Sequence, residues 1–196
     1  MRAVVFDVGR VLVNFDFTPF VNFLIARGAQ ISSTRDFFDK TDLLRFECGQ
    51  IPAKKFLDNV EKLIGHRAPR SLILHTWQNV FNGVPEMLDL ISAVKERREV
   101  YLLSNTNELH WSFLTETFAL HDRVHGMCTS FGARAMKPNK QIYETCQKMF
   151  KLEPEKTLFI DDLLENVEAA RSCGWHGLHH IDHASTSKHL RELGIL

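Results

Sequence analysis

The sequence predicts an α/β fold, a doubly wound parallel sheet with a block of helices inserted after the first strand. From residue 85 onward, short apolar runs alternate with segments of helical periodicity, a pattern typical of parallel sheets covered by helices. From about residue 18 to 82, helix start and stop signals follow one another without a convincing strand. We therefore expect a core of residues 1–14 and 86–196 and a helical module of residues 15–85.

The composition argues against a nucleic-acid-binding protein, a membrane-spanning protein and a disulfide-rich protein. The chain has 196 residues, of which 24 are Lys or Arg and 24 are Asp or Glu, so no net basic field favours nucleic acid or an anionic membrane. No apolar run approaches the roughly 18–20 residues that span a bilayer. The four cysteines lie far apart without a C-x-x-C pair, which favours a reducing, cytoplasmic setting over a disulfide framework or a zinc knuckle.

The first expected element is a buried strand. Residues 3–6 form an unbroken apolar run, as expected of a parallel strand covered on both faces. The run ends at Asp7, and Gly9 permits a sharp turn. A second apolar run at residues 11–13 precedes a polar and aromatic stretch.

The helical module shows four helix starts. Thr18-Pro19 combines an N-cap with proline at the first helical position, Ser33 and Ser71 are N-cap residues, and Pro52 opens the third helix. Apolar spacing predicts that the second helix continues through residue 46 and the fourth to residue 81. The glycines expected to end the first three helices are Gly28, Gly49 and Gly65.

The remaining chain alternates between the two kinds of element. Helices are expected at 85–97, at 108–119, from Pro138 to residue 150, and from residue 163 to Gly174. Strands are expected at 100–103, 124–129, 157–160 and 177–181.

Polar residues stand where three of the predicted strands end, and one lysine precedes a predicted helix. These residues are Asp7, Ser104-Asn105, Asp161-Asp162 and Lys137. The carboxyl ends of parallel strands meet on one edge of an open sheet, where ligands bind. We therefore expect three carboxylates, a hydroxyl and an ammonium to lie together.

This combination of groups suits phosphoryl transfer. Carboxylates alone repel a phosphate dianion, but Mg²⁺ held by hard oxygen ligands inverts that field. A carboxylate with a free oxygen can attack phosphorus and form an aspartyl-phosphate. A lysine, a hydroxyl or a backbone N–H then stabilises the charge on the phosphoryl oxygens. The sequence therefore predicts Mg²⁺ as cofactor and a small phosphorylated metabolite as substrate.

Four stretches of the chain form an ordered set of motifs, and a short turn in the helical module accompanies them. The stretches are residues 6–12, residues 102–107, Lys137-Pro138 with residues 142–144, and residues 159–162 with Asn166; the turn is residues 46–49. The four stretches resemble the motifs of the haloacid dehalogenase superfamily of phosphatases. The narrower resemblance is to bacterial sugar-phosphate phosphatases of the α-D-glucose-1-phosphate phosphatase type, which share Gly at position 9, the Ser-Asn-Thr-Asn string and an aromatic-Glu-x-Gly turn in a helical cap.

The resemblance implies a Rossmann-like sheet whose helical cap, residues 15–85, closes over a sugar phosphate and excludes water. It also implies a Mg²⁺ site. Asp7 is expected to be the nucleophile and a ligand, the Gly9 carbonyl a second ligand, and Asp162 the direct acidic ligand from the fourth strand. Asp161 is expected to orient metal-bound water.

The same resemblance assigns the phosphoryl-binding groups. Ser104 and the Asn105 backbone are expected to hold phosphoryl oxygens, and Lys137 to neutralise charge between Asp7 and the phosphate. Arg10 occupies a position where small or amide residues are common, and it is expected to reach phosphate or to lie at the rim. Near the lysine, Arg134 and Met136 replace the usual glycine and arginine.

Gly9 is the departure with the greatest chemical consequence. Most phosphatases of the superfamily carry a second aspartate there as general acid and base, a contribution of about 10²–10⁴-fold. Three consequences stay open. The substrate has an acidic leaving group, as in a sugar 1-phosphate; another residue such as Asp16 substitutes; or the protein turns over slowly and acts mainly as a binder of a phospho-ligand or a partner.

Two further interpretations accompany the phosphatase. A metal-independent 2-haloacid dehalogenase also uses an aspartate nucleophile and lacks the second aspartate, but a metal-free anion site should not gather extra carboxylates. The histidines near the C-terminus suggest transition-metal binding, yet their spacing fits no defined zinc motif, and a partly exposed His-rich segment is the preferred interpretation. They are His176, His179, His180, His183 and His189.

Overall fold

The computed structural model describes all 196 residues and contains a five-stranded parallel sheet. The strands of the chain are β1 (Ala3–Phe6), β2 (Val13–Phe15), β3 (Phe81–Gly83), β4 (Glu99–Ser104), β5 (Gly126–Thr129), β6 (Thr157–Asp161) and β7 (His176–His179). The order in the large sheet is β5-β4-β1-β6-β7, and helices flank it. The predicted doubly wound α/β fold is confirmed.

Twelve α-helices accompany the strands. They are α1 (Thr18–Ile25), α2 (Thr34–Thr41), α3 (Leu43–Glu47), α4 (Ala53–Leu63), α5 (Arg70–Gln78), α6 (Pro85–Lys95), α7 (Glu108–Thr117), α8 (Leu120–Arg123), α9 (Ser130–Ala133), α10 (Lys140–Phe150), α11 (Leu164–Ser172) and α12 (His183–Glu192). None of them is both long enough and apolar enough to cross a bilayer.

The register of the central strands brings the polar strand ends together. Phe6 pairs with Leu102 of β4 on one side and with Ile160 of β6 on the other. The next residue of β6 is Asp161, so Asp7 and Asp161 stand level at the carboxyl edge. Both faces of these strands are covered, which explains why their sequences are unbroken apolar runs.

Helices α1–α5 pack around an apolar core of their own. Trp77 of α5 is fully buried at its centre, with its ring centroid 4.9 Å from that of Phe20 and 5.0 Å from that of Phe56. An antiparallel ribbon of β2 and β3 connects this module to the sheet. The assignment of residues 15–85 as a separate domain stays a prediction.

The ribbon corrects two sequence-based expectations. The fourth helix ends at Gln78, and Phe81 begins a strand, whereas the sequence predicts helix to residue 81 and no strand in this segment. A three-residue strand is too short to show alternation, and β3 forms only because it pairs with β2, nearly 70 residues away in the chain.

Other differences concern helix boundaries. Asp42 adopts a left-handed conformation with φ of 58° and divides the predicted second helix into α2 and α3. The helix expected to open at Pro138 begins at Lys140, where the Asn139 side chain caps it. Helix α12, whose cap is Asp182, has no counterpart among the predicted elements.

Candidate active site

A cavity of about 180 Å³ opens at the carboxyl edge of the sheet. Two of the predicted site residues, Ser104 and Asp161, lie at strand ends outside its lining and are only 3% and 0% exposed. The lining residues are Asp7, Gly9, Arg10, Phe15, Asn105, Lys137, Asp162, Leu163 and Asn166. The structure thus brings six of the eight predicted site residues to one cavity.

Lys137 is the buried centre of charge in this site. Its Nζ lies 2.7 Å from Asp7 Oδ1 and 2.7 Å from Asp161 Oδ2, and its side chain is 1% exposed. Burial opposes the charge, but the two carboxylates outweigh it and raise the pKa of Lys137. The lysine is therefore an ammonium that joins the ends of β1 and β6.

Asn105 holds the backbone of Lys137. Its Nδ2 donates to the Lys137 carbonyl oxygen at 3.0 Å, and its Oδ1 accepts from the Lys137 N–H at 2.8 Å. These two bonds tie the loop before α10 to the end of β4. The resemblance implies a role only for the Asn105 backbone, which is expected to hold a phosphoryl oxygen. No pattern along the chain indicates that the Asn105 side chain binds the Lys137 backbone.

Asp161 acts as a buried support. Its carboxylate accepts from the Leu163 N–H at 2.8 Å, from Asn166 Nδ2 at 3.0 and 3.1 Å, and from Lys137. Both oxygens are therefore engaged by the protein. Asp162, which lines the cavity, is better placed than Asp161 to offer a free oxygen to a ligand.

The donor set fits Mg²⁺. Carboxylate oxygens of Asp7, Asp161 and Asp162 lie within 4.8 Å of one another. Asn166 Oδ1 is buried without a hydrogen-bond partner although its residue lines the cavity. The Gly9 carbonyl accepts no hydrogen bond from the protein. All of these atoms are hard oxygens, which Mg²⁺ prefers.

The electrostatics of the acids point the same way. Burial raises the pKa of Asp7; Lys137 opposes that shift and Asp161 adds to it. Burial and then Asp161 raise the pKa of Asp162. Three carboxylates around one lysine leave an excess of negative charge, and a divalent cation relieves it. A cation and a phosphate group together suit this cavity better than an anion alone.

Gly9 is covered by an aromatic ring. A Cβ atom added at Gly9 would lie 3.1 Å from Cε1 of Phe15, so the ring occupies the space that a longer side chain would need. Arg10 follows in a left-handed conformation with φ of 56°, and its guanidinium carbon lies 4.8 Å from the centre of the Phe15 ring. Phe15 is a site residue that the sequence analysis missed.

Asp16, considered as a substitute acid, lies outside the cavity lining. Its Oδ1 accepts from the Thr18 N–H at 2.8 Å at the start of α1. Hydrogen bonds from Thr18 lower the pKa of Asp16. A carboxyl group with a lowered pKa is a poor proton donor. Asp16 instead accepts a hydrogen bond from a free backbone N–H at the start of α1.

The C-terminal histidines make separate local contacts. For example, His179 Nε2 lies 2.8 Å from the Asp162 carbonyl oxygen, and His180 Nδ1 lies 2.8 Å from Thr186 Oγ1. The other three each contact a different backbone or hydroxyl oxygen. Their ring nitrogens form no common metal site.

Fold and site together define a class of protein: a hydrolase with a parallel sheet, a carboxylate pair next to a buried lysine at its carboxyl edge, and a helical module inserted after the first strand. The chain belongs to the haloacid dehalogenase-like hydrolases, whose family model matches residues 1–174. The predicted family and the predicted hydrolase class are confirmed. The narrower resemblance to α-D-glucose-1-phosphate phosphatases stays a prediction.

Similar proteins include two phosphatases. D-ribitol-5-phosphate phosphatase of Bacteroides thetaiotaomicron is 29% identical over 184 residues, 89% of each chain. Sesquiterpene phosphatase astK of Aspergillus oryzae is 27% identical over 98% of this chain and 96% of its own. A Bacteroides thetaiotaomicron enzyme of the family, solved with magnesium and inorganic phosphate, has a TM-score of 0.84 and 26% identity over 92% of this chain and 94% of its own.

Proposed function

We propose that this hydrolase is a Mg²⁺-dependent phosphatase of a small phosphorylated metabolite, a sugar phosphate. One observation carries the proposal: Asp7, Asp162 and the buried ammonium of Lys137 converge at one cavity. Mg²⁺ is the cofactor whose chemistry fits these donors, and the similar Bacteroides enzyme was solved with magnesium and phosphate. The similarity to two phosphatases supports hydrolysis of phosphate monoesters.

The cation site would use Asp7, Asp162 and the Gly9 carbonyl, and a bound Mg²⁺ supplies the positive charge that lets a phosphate dianion approach these acids. Asp7 Oδ2, which accepts no hydrogen bond from the protein, is the oxygen free to act as nucleophile or ligand. Asn166 Oδ1 would accept a hydrogen bond from an ordered water. Asp161 supports Lys137 and Asn166 from behind.

The reaction follows from these positions. A carboxylate oxygen of Asp7 attacks phosphorus, and the P–O bond to the leaving group breaks with its electron pair on the leaving oxygen. Water then attacks the aspartyl-phosphate, its P–O bond to Asp7 breaks, and inorganic phosphate leaves. Lys137 and the Asn105 N–H would stabilise the phosphoryl oxygens in both steps. The module of residues 15–85 acts as a cap that excludes water.

The substrate class rests on similarity and on Gly9. A relative named for D-ribitol 5-phosphate supports a sugar or polyol phosphate. With glycine at position 9 and the Phe15 ring over it, no carboxyl group stands at this position to donate a proton to a leaving oxygen. An anomeric hydroxyl is more acidic than an ordinary alcohol, so a sugar 1-phosphate is the substrate that needs such a proton least.

A second candidate substrate is an apolar phosphate ester. Leu163 lines the cavity and is 48% exposed, and Leu164 beside it is 52% exposed. Two exposed leucines beside the acids offer a surface for a hydrocarbon leaving group. The similarity to a sesquiterpene phosphatase agrees with that alternative.

The dehalogenase interpretation is disfavoured by the same acids. A carboxylate substrate without a metal ion would have to approach the crowded carboxylates of Asp7, Asp161 and Asp162, three negative charges against the two positive charges of Lys137 and Arg10. The binder interpretation keeps this site and predicts affinity without turnover. Both are outcomes of the experiment that follows.

The test is an activity screen of the purified protein. With Mg²⁺, it should hydrolyse p-nitrophenyl phosphate and, among glucose 1-phosphate, ribitol 5-phosphate and farnesyl phosphate, prefer a sugar ester. Asp7→Asn should abolish activity, while the matched control Asp16→Asn should keep it. Chloride release from 2-chloropropionate without Mg²⁺ would reassign the protein as a dehalogenase. Calorimetric binding of a sugar phosphate without turnover would reassign it as a binder.

A further inference from the structure

We propose that Arg10 stabilises the leaving oxygen of the substrate and thereby replaces the proton donor that the site lacks. The inference rests on the proposed phosphatase function and adds a catalytic residue to it. It starts from a side chain that lines the cavity, is exposed, and makes no hydrogen bond or ion pair with the rest of the protein. Every other charged side chain of the lining already has a task.

The position of Arg10 follows from the loop after β1. The Arg10 N–H donates to the Val13 carbonyl at 2.7 Å, which closes a tight turn with φ of 56° at Arg10. The turn delivers the arginine side chain to the cavity three residues from the nucleophile.

Phe15 fixes where the guanidinium lies. The ring covers Gly9 and carries the Arg10 guanidinium at 4.8 Å from its centre. Stacking on a ring face leaves the N–H edges of a guanidinium free to donate. Phe15 thus crowds a side chain at position 9 and supports a cation beside it.

Elimination places Arg10 on the leaving-group side. An in-line displacement requires the leaving oxygen on the side of phosphorus opposite Asp7. Lys137 pairs with Asp7, and Asn105 holds the Lys137 backbone. Asn166 contacts Asp161, and Asp162 is a ligand of the proposed cation site. The lining residues that remain are Gly9, Arg10, Phe15 and Leu163, and of these only Arg10 has a polar side chain.

The chemistry differs from general acid catalysis. When the P–O ester bond breaks, its electron pair stays on the leaving oxygen. A guanidinium is not deprotonated in proteins, so Arg10 donates hydrogen bonds to that oxyanion, which then takes its proton from solvent water. Charge stabilisation without proton transfer favours esters of acidic hydroxyls, such as anomeric or phenolic oxygens, over ordinary alkyl esters.

The test is a series of para-substituted phenyl phosphates of similar shape, with nitro, chloro, hydrogen and methoxy substituents, assayed with saturating Mg²⁺. In Arg10→Met, kcat/KM should fall about threefold for the nitro ester and about ten- to hundredfold for the phenyl and methoxy esters, up to the loss seen when one oxyanion donor is removed. Arg10→Lys should recover part of the loss. The control is Arg191→Met. Arg191 lies on α12, and its side chain is exposed and makes no hydrogen bond or ion pair.

The outcomes separate this inference from the proposed function. A loss that is equal across the series would make Arg10 a phosphate-binding residue and overturn the inference while the phosphatase stands. An Arg10→Met variant as active as the wild type would overturn it as well, with Arg10 a rim residue. Absence of hydrolysis by the wild-type protein would overturn the proposed function itself and, with it, this inference.

Discussion

Gly9 and Phe15 act as one feature of the site, because the ring of one residue fills the space left by the other. A Cβ at Gly9 would lie 3.1 Å from the ring, closer than ordinary van der Waals contact. An aspartate at position 9 therefore requires the ring to move. The side chain that position 9 can carry is therefore coupled to the placement of Phe15.

Introducing an acid at position 9 should require changes at both Gly9 and Phe15. Gly9→Asp alone should lower kcat/KM, because its side chain meets Phe15, whereas Gly9→Asp with Phe15→Ala should gain activity on alkyl phosphates relative to Phe15→Ala alone. The measurement is the pH profile of kcat/KM. The double variant should acquire an alkaline limb, the sign of a group that must be protonated. A double variant without that limb would show that position 9 does not reach the leaving oxygen.

Lys137 carries a second residue-scale prediction. Lys137→Met leaves Asp7 and Asp161 facing each other, and removal of one partner from a buried ionic group costs about 3 kcal/mol of stability. The variant should also gain more thermal stability from Mg²⁺ than the wild type does, since the cation then relieves a larger negative charge. Melting temperatures with Mg²⁺ and with EDTA measure both effects.

The control for this prediction is Lys140→Met. Lys140 is exposed and pairs only with Glu144 on α10, so that variant should change the melting temperature little in either buffer. An equal Mg²⁺ response in Lys137→Met and in the wild type would contradict a shared cation site at these acids.

The sequence locates the charged residues of the site because each one follows a recognisable strand end or precedes a helix. It does not locate the contacts that hold them. Asn105 binds the backbone of Lys137, 32 residues away in the chain, and the Phe15 ring lies over Gly9. No sequence pattern near these residues indicates either contact. Arg134, where the resemblance implies a glycine, adopts a left-handed φ of 54°, and Lys137 still reaches Asp7 and Asp161.

At the scale of elements, the start of α4 depends on a residue of another helix. Pro52 occupies the N-cap and offers no side-chain acceptor. Instead, Glu108 at the start of α7 accepts the Ala53 N–H through Oε1 at 2.7 Å. A core helix therefore caps a helix of the inserted module, and this contact crosses the boundary between the two.

Removing this cap should weaken the module. Glu108→Ala should lower the free energy of unfolding by about 1 kcal/mol, the usual value of an N-cap, and Glu108→Gln, which keeps an acceptor oxygen, should lose less. Urea unfolding measures the difference. Glu116→Ala on the same helix removes an exposed glutamate without a hydrogen-bond partner, and it should change little. Equal stability of Glu108→Ala and Glu116→Ala would contradict the capping role.

Elements with strong local signals could be predicted, and elements made by pairing could not. Ser33 caps α2 through the Asp36 N–H as expected from sequence, because capping involves only neighbouring residues. The β2–β3 ribbon depends on partners that the folded chain brings together. Apolar periodicity alone also cannot show the break at Asp42, since the apolar residues on both sides of it enter one core.

At the scale of the whole molecule, two apolar cores meet around His110. This histidine of α7 is 3% exposed, and its ring stacks on Trp77 with centroids 4.1 Å apart. Its Nε2 lies 3.0 Å from the Trp77 carbonyl oxygen and its Nδ1 lies 3.1 Å from Asn107 Nδ2. The neutral ring with a proton on Nε2 satisfies both contacts, so a histidine without charge joins the sheet domain to the helical module.

Stability should therefore fall in acid through His110. Burial lowers the pKa of His110 from 6.5 to about 3. Between pH 6.5 and about pH 3, His110 therefore binds a proton in the unfolded chain but stays neutral in the folded chain. The stability contributed by His110 is complete above pH 6.5 and is lost as the pH falls, by up to about 1.4 kcal/mol per pH unit.

His110→Phe keeps the aromatic packing and removes the titration. From pH 7.5 to pH 5, its free energy of urea unfolding should fall about 2 kcal/mol less than that of the wild type. His121→Phe, at an exposed position, should follow the wild type. If all three proteins lost the same stability, the folded structure would accept a charged His110 at the junction, and the two cores would be less tightly joined than the burial of this ring indicates.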